Sequence, residues 1–195
     1  MLIAIEGIDG SGKTTVAKYL RDKLGEMGYP VVLLREPTDS EWGKKLKNTY
    51  NSRLTPEEEL DLFLKDRKFD AENNIIPALK DNKIVIMDRY YFSTIAYQGA
   101  TGFDLDYLRK INEEIAPKPD LLFILDLPPE KGISRIIKRG DQPNEFENIN
   151  YLKRVREIFL SIEDAIIIDA SKDIETIKRE VLEIVLQNLK NLKKC

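Results

Sequence analysis

Gly7-Ile8-Asp9-Gly10-Ser11-Gly12-Lys13-Thr14 matches the pattern G-x-x-x-x-G-K-[ST], and its setting decides the fold. The stretch follows the apolar run Leu2–Ile5 and opens an amphipathic segment, the strand–loop–helix context that the pattern requires. Its glycines permit turns with φ > 0 that point backbone N–H groups inward, and the helix adds its positive end. Lys13 beside that positive end is unfavourable unless an anion is bound, so a chance glycine turn explains it poorly. Gly7, Ile8, Asp9, Gly10, Ser11, Gly12, Lys13, Thr14 and Thr15 are therefore expected to cradle nucleotide phosphates, with the Thr14 hydroxyl on Mg²⁺. As a surface side chain, Lys13 should contribute less than about 0.5 kcal/mol to stability.

Outward from this loop the chain alternates. Strand candidates are Leu2–Ile5, Val31–Leu34, Ile84–Met87, Leu121–Leu125 and Ile166–Ile168, all nearly continuous aliphatic runs, as in strands buried on both faces of a parallel sheet. Helical periodicity falls on 13–27, 42–50, 56–80, 104–115, 129–139, 149–162 and 173–192. Thr55-Pro56-Glu57-Glu58 predicts a capping box, with Pro56 at the first helical position. The order implies an α/β, five-stranded, doubly wound parallel sheet of the P-loop NTPase fold, with right-handed crossovers and helices on both faces. Residues 1–195 read as a single domain, and Gly140–Asn148 is a polar loop suited to a short lid over about 139–148. Glu6, Arg35 with Glu36, Asp88 with Arg89, Asp126 and Asp169 come at or just after the strand runs. In open α/β sheets the ligand crevice lies outside those carboxyl ends.

Composition narrows the function classes. The chain has 195 residues, 42% hydrophobic and 33% charged, which excludes disorder and collagen-like repeats. Thirty-one Lys and Arg against 34 Asp and Glu give a net charge of −3, so no global basic field points to nucleic acid or membrane as partner. No apolar run approaches the ~18 residues of a membrane span, and the start MLIAIEGIDG lacks the basic region of a signal peptide. The single Cys195 excludes an internal disulfide framework and fits a reducing cytoplasm. There is no histidine, which removes the usual general base and the commonest metal ligand. The Asn-Lys-x-Asp sequence of common GTPases is also missing, since Asn82-Lys83 continues into Ile84-Val85.

A second set of motifs points to a second ligand. Arg35-Glu36-Pro37-Thr38, Leu62-Phe63-Leu64-Lys65-Asp66-Arg67, Asp88-Arg89-Tyr90 and Ser93-Thr94-Ile95-Ala96-Tyr97-Gln98-Gly99 follow one another in order. With IEGIDGSGKTT, Pro119-Asp120, Leu125-Asp126 and Ile168-Asp169-Ala170, the chain resembles the thymidylate kinases along nearly its whole length. The resemblance implies ATP as phosphoryl donor, dTMP as acceptor, Mg²⁺, a cytoplasmic location and a homodimer. It also implies site roles. Phe63 would stack on thymine and Arg67, one helical turn on, would donate to the base oxygen O4. Gln98 would bond the base edge with Ser93 nearby, and Tyr97 would lie under the deoxyribose. Glu36 joins this substrate set, Arg89 would hold the acceptor phosphate, Asp88 would reach the Mg²⁺ through water, and Asp9 would approach the sugar 3′-hydroxyl. Without the resemblance, Phe63 reads as core, Arg67 as solvated, Tyr97 as a half-buried ring and Arg89 as an ion-pair partner of Asp88.

Two positions depart from the family pattern. Its phosphate-binding arginine falls on Lys47, which keeps the charge and loses the bidentate fork. Where some members carry a basic residue after the P-loop aspartate, this chain has Gly10. The resemblance then implies a catalytic arginine from the lid, with Arg139 the first choice and Arg135 the second. A solvated basic helix end is the alternative for both.

Overall fold

The computed structural model describes residues 1–48, 54–140 and 148–192. Five parallel strands, β1 (Leu2–Glu6), β2 (Val31–Arg35), β3 (Ile84–Asp88), β4 (Leu121–Asp126) and β5 (Ile166–Asp169), form one sheet in the order β2-β3-β1-β4-β5. Every residue of β1 and β3 is buried, as is β4 up to its last residue. Because successive side chains point to opposite faces, such burial requires helices over both faces of these strands. The expectation of two-sided burial fails for β2, which is half-buried, and for β5, where only Ile168 is buried. These are the sheet edges, each with a neighbour on one side only.

Around the sheet lie α1 (Lys13–Glu26), α2 (Glu41–Asn48), α3 (Pro56–Asp70), α4 (Ile76–Lys80), α5 (Tyr91–Thr101), α6 (Leu105–Glu113), α7 (Pro129–Lys138), α8 (Ile149–Leu160) and α9 (Ile174–Leu192). The Thr55 capping box forms as expected. The predicted helix over 56–80 is interrupted by a π turn at Ala71–Ile75. Pro77 has no N–H to bond backwards, so the ladder widens just upstream of it. The helix α5 is absent from the predicted segments because it shows no apolar stripe and no local cap. Tyr91, Phe92, Thr94, Ile95, Ala96, Gln98 and Ala100 are all buried, and Tyr90 makes no side-chain cap. Its cap comes from β1 instead: the buried Glu6 carboxylate accepts from the N–H groups of Tyr90 and Ser93 at 2.8 and 2.9 Å.

The strands each run one residue beyond the predicted limit, so the polar residues are their last members. Arg35 pairs with Asp88 across β2 and β3, and Asp126 with Asp169 across β4 and β5. The P-loop, the Glu36–Ser40 loop and the Arg89 turn consequently share the carboxyl end of the sheet. Residues 49–50 of the predicted second helix, the lid residues 141–147 and Cys195 lie outside the described residues. Among the described residues no helix is long and apolar enough to cross a membrane.

Candidate active site

The P-loop backbone has the predicted left-handed turns, with φ of 135°, 80° and 99° at Gly7, Gly10 and Gly12. A Cβ on Gly10 would lie 2.5 Å from the Gly132 carbonyl oxygen in α7. No basic side chain could replace Gly10 without moving that helix. Lys13 is buried, at 5% exposure, which corrects the surface expectation. Its Nζ donates to the Ile8 carbonyl at 2.8 Å and stands 3.8 Å from an Asp9 oxygen. Burial, followed by the neighbouring Arg89 charge, pulls the Lys13 pKa down to about 8. Such an ammonium gains most from an anion that restores its charge balance. The Ser11 hydroxyl in the same loop is buried with no hydrogen-bond partner.

Thr14 donates its hydroxyl to Asp88 Oδ2 at 2.6 Å. A hydroxyl and one carboxylate are hard oxygen donors of the kind Mg²⁺ uses when phosphates and water complete its shell. No cluster of three or more acidic or cysteine ligands competes among the described residues. The pair therefore fits the ion.

Arg89 sits between the P-loop and a cavity beside it. Its backbone is left-handed, with φ of 70°, a conformation that costs a non-glycine residue about 1–3 kcal/mol. Its N–H donates to the Ile5 carbonyl, and its guanidinium pairs with Asp9 and with the Ser93 hydroxyl. Ser93 in turn donates to Glu6 Oε2 at 2.6 Å, so Glu6 both caps α5 and anchors the arginine. Burial disfavours the Asp9 carboxylate, but the charges of Arg89 and Lys13 outweigh it and hold its pKa far below the usual range. The alternative of an Arg89–Asp88 ion pair does not form; Arg89 pairs with Asp9 instead. Arg35 is the cation nearest Asp88, with 3.9 Å between its Nε and Oδ2.

The cavity is lined by Asp9 from the P-loop and by Arg35, Glu36 and Pro37 from the end of β2. Glu59, Phe63 and Arg67 come from one face of α3, four residues apart, Arg89 from the turn after β3, and Ser93, Thr94, Tyr97 and Gln98 from α5. Tyr151 of α8 closes the side, its hydroxyl on the Tyr97 carbonyl at 2.8 Å. The Arg89 guanidinium lies 5.5 Å from the Tyr97 ring centre. Arg67 is 1% exposed, contrary to a solvated arginine. It pairs with Glu36 through Nε and Nη2, and Nη1 donates to Thr94 and Asn112. Burial pushes the Glu36 carboxyl up to about 7 against the pull of Arg67. Asp66, one residue before, accepts from the Thr38 amide and from the hydroxyls of Thr38 and Ser40, tying the loop after β2 to α3.

Glu36, Phe63, Arg67, Arg89, Ser93, Tyr97, Gln98 and Asp9 are thus brought to one cavity. Lys47 is not: it pairs with Asp39 at 2.8 Å and lies outside the lining. Arg135 holds two carbonyls, of Gly10 at 3.2 Å and Ala170 at 3.0 Å, and so clamps the P-loop to the segment after β5. Arg139 is the exposed C-cap of α7, one residue before the described segment ends at Gly140. Glu59, Thr94 and Tyr151 line the cavity without having been expected there, and Arg35 was marked only as a polar strand end. The spacing of four from Glu59 to Phe63 to Arg67 could have revealed Glu59, whereas no local pattern marks Tyr151.

A parallel sheet in this order, a phosphate loop after β1 and a polar, aromatic-walled cavity alongside define a protein of the P-loop NTPase fold with room for a second ligand. Residues 5–181 match the family described as Thymidylate kinase, and the chain belongs to that family. It is 53% identical over 196 residues to a probable thymidylate kinase of Archaeoglobus fulgidus, covering all of this chain and 98% of the relative. It is 47% identical over 192 residues to a thymidylate kinase of Xanthomonas campestris pv. campestris, covering 97% and 84%. A thymidylate kinase of Xylella fastidiosa is 44% identical over 193 residues, covering 97% and 92%.

Proposed function

We propose that this chain transfers the γ-phosphate of ATP to dTMP, giving ADP and dTDP, a step toward dTTP. The observation that carries this reading is Arg89, held in a left-handed turn by Glu6 and Ser93 between the phosphate loop and the aromatic-walled cavity. From there its fork can hold an acceptor phosphate beside the donor's phosphates. The acceptor oxygen is already anionic near neutral pH, so no side chain need remove a proton, and a site without histidine suffices. Catalysis is then alignment and charge neutralisation by Lys13, Arg89 and a lid arginine. Mg²⁺, held through Thr14 and Asp88, would neutralise phosphate charge when bound. Phe63 supplies a stacking face for the base, Tyr97 the floor under the sugar, and Asp9 a carboxylate toward the 3′-hydroxyl. The test is steady-state turnover with dTMP, dUMP, dCMP, dGMP and AMP. A preference for any acceptor over dTMP would overturn the reading.

Base selection is assigned to Arg67 and Gln98, and phosphate binding to Arg89. Arg89→Ala should damage dTMP and dCMP use alike. Arg67→Ala would leave Glu36 buried and unpaired, at a cost of about 3–5 kcal/mol in stability. Its base role is therefore read in Arg67→Lys, which keeps a cation but not the fork. The expected result is a larger loss with dTMP than with dCMP, while equal losses would refute a base-reading arginine. We further propose one catalytic unit that works as a cytoplasmic homodimer. Sedimentation equilibrium should return twice the chain mass of 22.5 kDa, and a monomer at micromolar concentration would exclude the dimer.

A further inference from the structure

Gln98 is 2% exposed, and its amide is only half satisfied within the protein. Nε2 donates to Glu59 Oε2 at 2.7 Å, whereas Oε1 is buried at the cavity wall with no partner. An ionised carboxylate only accepts hydrogen bonds, so Glu59 admits the amide in one orientation. Turning the amide over would set two oxygens against each other. Beside it, Arg67 has five N–H groups, and those pointing at Glu36, Thr94 and Asn112 leave one on Nη2 without a partner. The cavity wall therefore offers a donor from Arg67 and an acceptor from Gln98.

We propose that Glu59 is a specificity-determining positioning residue, which holds the Gln98 carbonyl oxygen toward the substrate base and thereby selects bases with an N3–H. Thymine and uracil present O4 as acceptor next to N3–H as donor, the complement of this pair. Cytosine presents the reverse, an N4 amino donor next to an N3 acceptor. With Glu59 ionised, cytosine meets acceptor against acceptor and donor against donor. The proposal rests on the base-side reading of the cavity given above. Burial raises the Glu59 pKa and the Gln98 bond lowers it, with burial the larger effect. Assays are run at pH 8, because a higher pH favours the carboxylate.

Glu59→Gln replaces the acceptor-only carboxylate with an amide of the same shape, which can accept from or donate to Gln98. The experiment measures kcat/KM for dTMP and for dCMP, with ATP as donor. It compares wild type, Glu59→Gln, Gln98→Ala and the double variant, and circular dichroism checks that each is folded. Glu59→Gln should lower the dTMP-to-dCMP ratio about tenfold or more, because the amide can now turn to suit cytosine. In the Gln98→Ala background the same change should leave the ratio within twofold, since the group being oriented is gone. Proportional losses for both substrates in Glu59→Gln would mean a merely structural role and overturn the proposal. A ratio shift that persists without Gln98 would overturn it too. Glu59→Ala, which frees the amide altogether, provides the same readout should Glu59→Gln not fold. Wild type that makes dTDP but shows no ratio change in the variants refutes this inference alone. Wild type that makes no dTDP refutes the underlying function as well.

Discussion

Lys13→Met is expected to lower kcat by at least about 10²–10³ at saturating ATP and dTMP, the loss seen when one preorganised charge is removed from a transition state. The ammonium is oriented by its hydrogen bond to the Ile8 carbonyl within the loop. It is buried, and burial with the Arg89 charge has drawn its pKa down to about 8, so it remains largely protonated near neutral pH. Phosphate charge would favour that protonated form further. Methionine fills a similar volume with no charge, so packing of the stem is kept. Stability moves by two opposing effects. The Ile8 carbonyl loses its partner, at about 1–3 kcal/mol, while a buried cation that opposed Arg89 is removed. Turnover and thermal unfolding should be measured on the same preparation. A folded variant with near-normal turnover would sink the phosphate role of Lys13.

The second large effect is expected at the entrance to the lid. Arg139→Ala should reduce kcat by about 10³ or more with little change in the binding of a bisubstrate inhibitor, as for an arginine that contacts the transferring phosphate. The structure separates the two lid candidates by their surroundings. Arg135 is committed to the carbonyls of Gly10 and Ala170 and cannot leave without freeing both. Its loss should loosen the P-loop and weaken ATP binding, with the smaller effect on kcat. Arg139 is exposed at the end of α7, one residue before the described segment ends at Gly140. If both alanine variants keep kcat within about threefold, well under the ~1.4 kcal/mol of a tenfold change, a lid arginine is not part of the mechanism.

How much of this was legible in the chain follows from how local each signal is. The P-loop could be read because its glycines, Lys13 and Thr14 lie within eight consecutive residues whose spacing is set by backbone geometry. The central strands could be read because two-sided burial demands continuous aliphatic runs. The polar strand ends then located the site at the carboxyl end of the sheet, and motif order supplied Phe63, Arg67, Arg89 and Gln98. Helix α5 escaped because its helical character is not encoded in amphipathic spacing: it is buried almost all round and capped from β1. Lys47 stands apart from the cavity because its ammonium pairs with Asp39, a contact that an aligned residue number does not reveal.

Fold class, phosphate loop and family were thus decided by the order of short patterns along the chain, each dictated by the backbone's own periods of 2 and 3.6. Partner choice was decided only by the tertiary structure. Asp9 meets Arg89 across 80 residues, Glu6 meets Ser93 across 87, and Arg135 meets Gly10 across 125. The strand order β2-β3-β1-β4-β5 brings those segments together at the carboxyl end of the sheet, and no local propensity records that order. Once there, burial favours arrangements in which charges and amides find a partner or face the ligand, because an unpaired polar group in the low-dielectric interior costs about 1–3 kcal/mol. That requirement made Arg67 a buried anchor rather than a solvated arginine, and left the unpartnered oxygen of Gln98 at the cavity wall.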